Sequence, residues 1–174
     1  MRRPKNSRFS QSLSFDGDSD RFSKMSWNSF EMESRAGSHA SAGAVWAVLG
    51  DVRAWPQWAR VCASAGVDDT FDWQPGQRLR FRLRMAGVPV PFDVTLKQFE
   101  AGRRVAWQST EFSITAVRTI STEEDGDGVT IRDHKAFHSP ILPIGLVYPR
   151  LLIRRMTESW LADLSAEAER RSKA

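Results

Sequence analysis

Residues 78–85 read RLRFRLRM, a strict alternation of arginine with large apolar side chains. Successive strand residues face opposite ways, so Leu79, Phe81, Leu83 and Met85 share one face and Arg78, Arg80, Arg82 and Arg84 the other. This stretch therefore demands a sheet with one buried face. The arginine face has two readings: a stripe for phosphate or acidic partners, or a solvated outer surface. The solvated reading is the default, because a neighbouring strand offers Asp93 as a counter-charge.

Turn chemistry cuts the rest of the chain into similar pieces. Pro75-Gly76, Gly87, Ala101-Gly102 and the run Asp125-Gly126-Asp127-Gly128 separate strand-like segments at 78–85, 90–99, 103–109, 113–123 and 129–137. Connections this short imply antiparallel neighbours. Phe30, Met32 and Ser34 alternate with Glu31, Glu33 and Arg35 in a first strand, and residues 61–73 supply one more, bent strand.

Two short helices are expected after the first strand. Ser41 can cap a helix carrying Val45, Trp46, Val48 and Leu49, and Pro56 suits the first turn of the next. The block from Ala44 to Trp58 reads as a lid over an open end. Ile153, Met156, Trp160, Leu164 and Ala168 recur at helix spacing after Pro149. Neither proline nor glycine occurs between 150 and 172, which allows roughly 34 Å of unbroken helix.

The order is thus strand, two short helices, six strands, long helix: an α+β chain. Seven strands laid flat span about 29 Å, whereas a helix is only about 10–12 Å across. The sheet must curl around the long helix, and part of its concave face stays uncovered. Either large side chains fill that space or it is a cavity. The side chains assigned to its wall are Trp46, Trp58, Phe81, Leu83, Phe92, Val94, Trp107, Met156 and Trp160.

Composition narrows the classes. Six basic and three acidic residues in 1–26 leave that segment at +3 of the chain's +4, so the remainder is nearly neutral and makes no case for DNA. Residues 1–25, rich in serine and charge, read as a disordered basic tail ahead of a domain at 26–172, with Met25 an alternative start. Cys62 is the only cysteine, so neither an internal disulfide nor a cysteine-based zinc site is available, and a reducing, cytoplasmic location fits. No secretory signal or transmembrane segment is evident.

No phosphate loop and no GxSxG elbow is present, so no cofactor is expected. His134 and His138 are four apart on a strand, about 13 Å, too far to share one metal. The polar candidates are Arg118, Asp133 and His134. If Val129 and Ile131 point inward, Asp133 and Lys135 follow them, and only a bulge would bring in His134. Arg118 and Asp133 then either pair inside the cavity and orient an acidic or carbonyl ligand, or form a surface pair worth little. The surface pair is the default.

Certain phrases add a resemblance. Val45-Trp46, Asp51 and Trp55-Pro56-Gln57-Trp58 resemble the first-helix signature of the START-like superfamily, also called SRPBCC, which includes polyketide cyclases and dehydratases. Gly126 to Thr130 resembles its last hairpin. Ser139 to Pro143 resembles the approach to its terminal helix, and Leu161 to Glu169 that helix's end. The resemblance spans about 26–169. It implies a helix-grip fold: a curved seven-stranded antiparallel sheet wrapped around a long C-terminal helix.

Three functions are compatible with these readings. The leading one is binding of a small hydrophobic molecule, aromatic polyketide-like or lipid-like, between sheet and terminal helix. A cyclase or dehydratase using Arg118, Asp133 or His134 as acid–base groups is the second. The third is an interaction protein using its outer basic face toward an RNA or protein partner, for which the arginine stripe is the best argument.

Overall fold

The computed structural model describes residues 26–173. The expected tail at 1–25 lies outside the described residues. Seven strands form one antiparallel sheet: β1 (Ser29–Ser38), β2 (Cys62–Val67), β3 (Arg78–Met85), β4 (Val88–Glu100), β5 (Arg104–Glu111), β6 (Ile114–Asp125) and β7 (Gly128–His138). Their spatial order is β1-β7-β6-β5-β4-β3-β2. The β1-to-β2 connection must therefore cross from one sheet edge to the other. It does so with α1 (Ala42–Gly50), a 3-10 turn at Val52–Ala54 and α2 (Trp55–Trp58). A short α3 (Ile144–Val147) precedes the long α4 (Arg150–Ser172).

Local chemistry explains the boundaries. The Ser41 side chain accepts a hydrogen bond from the Ala44 N–H at 3.2 Å and so caps α1. Pro149 caps α4, where its missing N–H costs nothing. The turn between β6 and β7 uses Gly126 at φ +59°, a left-handed position that glycine adopts without strain. The β5–β6 turn makes the same demand of Phe112 and Ser113, at φ +49° and +65°. Those side chains carry strain that Asn-Gly would avoid. The second strand ends at Val67, well short of the expected Trp73, because Asp68-Asp69 opens a solvated loop there.

The buried positions of α4 are Thr157, Trp160, Leu161, Leu164, Ser165 and Ala168, a stripe at three- and four-residue steps. The C-terminal half of α4 packs on α1 and β1. Ser165 Oγ donates to the Gly37 carbonyl at 3.0 Å, and Glu169 accepts from the His39 N–H at 2.8 Å. Val45, Val48, Leu49, Val105, Ile120, Ile131, Leu164 and Ala168 pack this half of the molecule as a buried apolar core. Cys62 belongs to the same core. Burial raises its thiol pKa to about 11 against a weaker opposing pull from Arg84, so it is an inert apolar filler. No helix among the described residues is long and apolar enough to cross a membrane.

Candidate functional site

The other half of the molecule is hollow. A cavity of about 1090 Å³ opens between the sheet and the N-terminal half of α4, and its lining runs past the sheet edge to Arg78, Arg80 and Arg82 on the outer face of β3. Phe81, Leu83, Phe92 and Val94 line it from β3 and β4, Trp107 from β5, and Met156 and Trp160 from α4. Its lining extends to Phe112 in the β5–β6 turn, whose ring is 90% exposed, which marks the rim.

Two expected wall residues lie elsewhere. Trp46 is buried in the apolar core, its Nε1 donating to Thr122 Oγ1 at 2.8 Å and its ring edge-on to Phe99. Trp58 packs behind Trp160, centroids 5.0 Å apart, and does not reach the cavity. The block from Ala44 to Trp58 contributes no lining residue at all. Its Val45, Trp46, Val48, Leu49, Val52 and Trp55 are buried in the core cluster, so it packs the closed end rather than covering the cavity.

Pairing register places the polar groups. Leu96, Trp107, Arg118, Lys135 and Met32 are successive partners across β4, β5, β6, β7 and β1, so all five share one face. Asp133 sits two residues before Lys135 on β7, on the same face, with Val129 and Ile131 preceding it. The β6–β7 pairing runs without a bulge. His134 therefore faces outward, half-exposed, with Nε2 3.3 Å from Glu31 Oε2. The structure joins Arg118 and Asp133 but leaves His134 on the opposite face.

The Arg118–Asp133 pair is internal, which overturns the default surface reading. The Asp133 side chain is 0% exposed and that of Arg118 12%. Arg118 Nε and Nη2 both donate to Asp133 Oδ2, at 2.9 and 2.5 Å. Lys135 Nζ donates to Asp133 Oδ1 at 2.7 Å and to Thr157 Oγ1 at 2.8 Å. The Arg118 guanidinium lies over the rings of Trp107 and Trp160, 5.4 and 4.9 Å from their centroids. Arg118, Lys135 and Thr157 line the cavity, whereas Asp133 lies behind them. Between the apolar core and the hollow half, these side chains form a polar floor.

Burial alone would raise the Asp133 pKa. The Arg118 and Lys135 charges and their hydrogen bonds override it and hold the carboxyl below the ordinary aspartate value. For Lys135, burial wins over the attraction of Asp133, and Arg118 adds to the push, bringing its pKa down to about 8 from 10.5. The unfolded chain thus binds a proton at Lys135 that the folded chain releases between these two values. Lys135 penalises the fold below about pH 8, and the penalty fades as pH rises toward 10.5. Urea melts of wild type and Lys135→Met at pH 7.5 and 10 check this. Wild type should gain up to roughly 3 kcal/mol relative to the variant, and a pH-independent difference would contradict it.

Sequence parity put Lys135 beside Asp133 without assigning it a role, and Thr157 went unnoticed. The available signal for Thr157 was a lone hydroxyl one turn after Ile153 in an apolar stripe. The outer arginines are largely matched by their neighbours. Arg78 forks onto Asp93 at 3.2 and 2.9 Å, Arg80 lies 3.8 Å from Asp68, and Arg84 donates to the Arg60 and Cys62 carbonyls. Among the described residues no group of three or more His, Cys, Asp or Glu is arranged to hold a metal ion.

Known structures share this architecture. The aromatase/cyclase Zhui from Streptomyces sp. R1128 superposes with a TM-score of 0.71 at 17% identity, covering 84% of this chain and 97% of that one. A START superfamily protein from Mycobacterium smegmatis gives 0.60 at 14% identity, covering 82% and 97%. Major latex-like protein 151 from Panax ginseng gives 0.69 at 9% identity, covering 80% and 97%. At such identities the likeness is one of fold. Comparison with curated proteins finds no match. The family described as polyketide cyclase / dehydrase and lipid transport matches residues 29–169. With its helix-grip sheet and the family match across nearly all of it, the chain belongs to the family described as polyketide cyclase / dehydrase and lipid transport.

Proposed function

We propose that the protein binds one small, mostly apolar molecule, aromatic polyketide-like or lipid-like, in the cavity between the sheet and α4. The observation that carries this is the cavity itself: about 1090 Å³, walled by Phe81, Leu83, Phe92, Val94 and Met156, with a few polar groups converging at its floor. Ligand pockets commonly occupy ~300–1,000 Å³ and combine an apolar wall with sparse polar anchors. Burying ligand surface there contributes roughly 25 cal/mol per Å² before the cost of association.

Titration with the neutral fluorophore N-phenyl-1-naphthylamine, alongside native mass spectrometry, tests the reading. Saturable one-to-one binding is expected. Ala116→Trp, placed in the wall, should weaken it by at least about tenfold while the far-UV spectrum is kept. No saturable binding and no co-purifying mass would sink the proposal.

One observation favours a second reading, proton-transfer chemistry on a carbonyl-bearing ligand. Lys135, with a pKa of about 8, stands beside Arg118 on the cavity floor. A lysine so tuned exchanges protons near neutral pH, and Arg118 would stabilise an adjacent enolate oxygen. In this reading Asp133 orients both cations, and His134 on the outer face takes no part.

A further inference from the structure

The floor carries an unbalanced charge. Two buried cations, Arg118 and Lys135, share one carboxylate, Asp133, and neither has another ion-pair partner among the described residues. The remaining acids of the lining lie elsewhere. Asp93 is forked by Arg78 and Asp68 lies beside Arg80. Glu111 is four residues along β5 from Trp107, about 13 Å. Burying an uncompensated cation is costly, and the cost falls when an anion joins it.

The donors point the same way. Arg118 spends Nε and Nη2 on Asp133, which leaves Nη1 without a hydrogen bond among the described residues. Lys135 spends two of its three N–H groups on Asp133 and Thr157. Both side chains line the cavity. The guanidinium lies over the rings of both Trp107 and Trp160, and Asp133 fixes its in-plane orientation. The free donors are therefore held in place rather than mobile.

We propose that this floor is an anion seat and that the ligand enters head first: a singly charged carboxylate on an apolar body. The carboxylate accepts from Arg118 Nη1 and Lys135 Nζ. The body lies along Phe81, Trp107 and Met156 toward the rim at Phe112. The inference rests on the binding function proposed above and deepens it.

Matched pairs of probes separate the two: dodecanoate against 1-dodecanol, and 1-pyrenebutanoate against 1-pyrenebutanol, titrated at pH 7 by calorimetry or fluorescence. Each acid should bind at least about tenfold tighter than its alcohol. Lys135→Met, which leaves Arg118 and Asp133 as a neutral pair and should fold, is expected to erase most of that preference. Arg154→Gln, on the exposed face of α4, should leave it intact. Equal affinity for acid and alcohol in wild type would overturn the anion seat while leaving cavity binding standing. A preference that survives Lys135→Met unchanged would place the seat elsewhere and overturn it as well. Failure of all four probes to bind would remove the binding function and this inference together.

Discussion

Asp133→Ala is expected to destabilise the fold by roughly 3–5 kcal/mol, a large part of the stability of an ordinary domain. The carboxylate is wholly enclosed and receives three hydrogen bonds from two cations. Its removal leaves Arg118 and Lys135 facing one another in a water-poor site. The penalty arises from those stranded charges more than from the lost bonds. Two controls distinguish this explanation from simple loss of packing. Replacing all three by apolar residues (Arg118→Met, Asp133→Leu and Lys135→Met together) should recover most of the loss, since no charge then remains buried. Acid should also narrow the gap. Asp133 has a lowered folded pKa, so its stabilisation is present above the unfolded aspartate value and is lost as pH falls through the folded one. Urea melts of wild type and variant at pH 7 and pH 3 measure both effects. A cost below about 1 kcal/mol at pH 7 would show that solvent screens the cluster and that the floor is wet.

Trp55→Ala is expected to cost a similar amount, roughly 3–5 kcal/mol, by a different mechanism. Trp55 is 1% exposed and lies against Phe81, Trp107 and Trp160, centroids 5.9, 6.1 and 5.0 Å away. Its Nε1 donates to the Leu49 carbonyl at 2.9 Å, tying α2 to α1. Truncation opens a void that rigid neighbours cannot fill. Two of those neighbours, Trp107 and Trp160, also lie against the Arg118 guanidinium. The variant should therefore weaken carboxylate probes more than alcohol probes, besides lowering the denaturation midpoint. Trp55→Phe, which keeps the ring contacts but not the hydrogen bond, should lose about 1–2 kcal/mol. An alanine variant as stable as wild type would mean that the closed end is loosely packed.

Some of this architecture was legible in the residues alone. The alternation at 78–85 and the glycine turns place five of the strands within a residue or two of where they lie, because period-two burial and left-handed turns each leave a local trace. The expected second strand runs too far because Phe71 and Trp73 look strand-like, although Asp68-Asp69 opens a loop before them. The short helix at 144–147 was missed. Four residues between two prolines, with Leu146 and Val147 exposed, carry no periodicity to detect.

The site was legible only in part, for a physical reason. Parity along β7 put Asp133 and Lys135 on the face of Ile131, yet an arginine–aspartate pair has the same local pattern inside a cavity as on a surface. Only the sheet's curvature and the two tryptophans that cover Arg118 decide between them, and both are long-range properties. Trp46 and Trp58 illustrate the same limit. Their bulk announced burial, but bulk does not say on which side of a wall a ring lies.

The molecule is divided along its length: α1 and the C-terminal half of α4 seal one end, and the other end encloses empty volume. This has a consequence for evolution in the laboratory. Substitutions selected for thermal robustness should accumulate around Val45, Ile131 and Leu164, whereas those selected for a new guest should accumulate around Leu83, Ala116 and Met156. Gains in the two sets should combine almost independently where they share no partner, whereas changes at Trp107 or Trp160, which belong to the buried cluster and also line the cavity, should couple them. The hollow end can then be retailored without first reinforcing the scaffold.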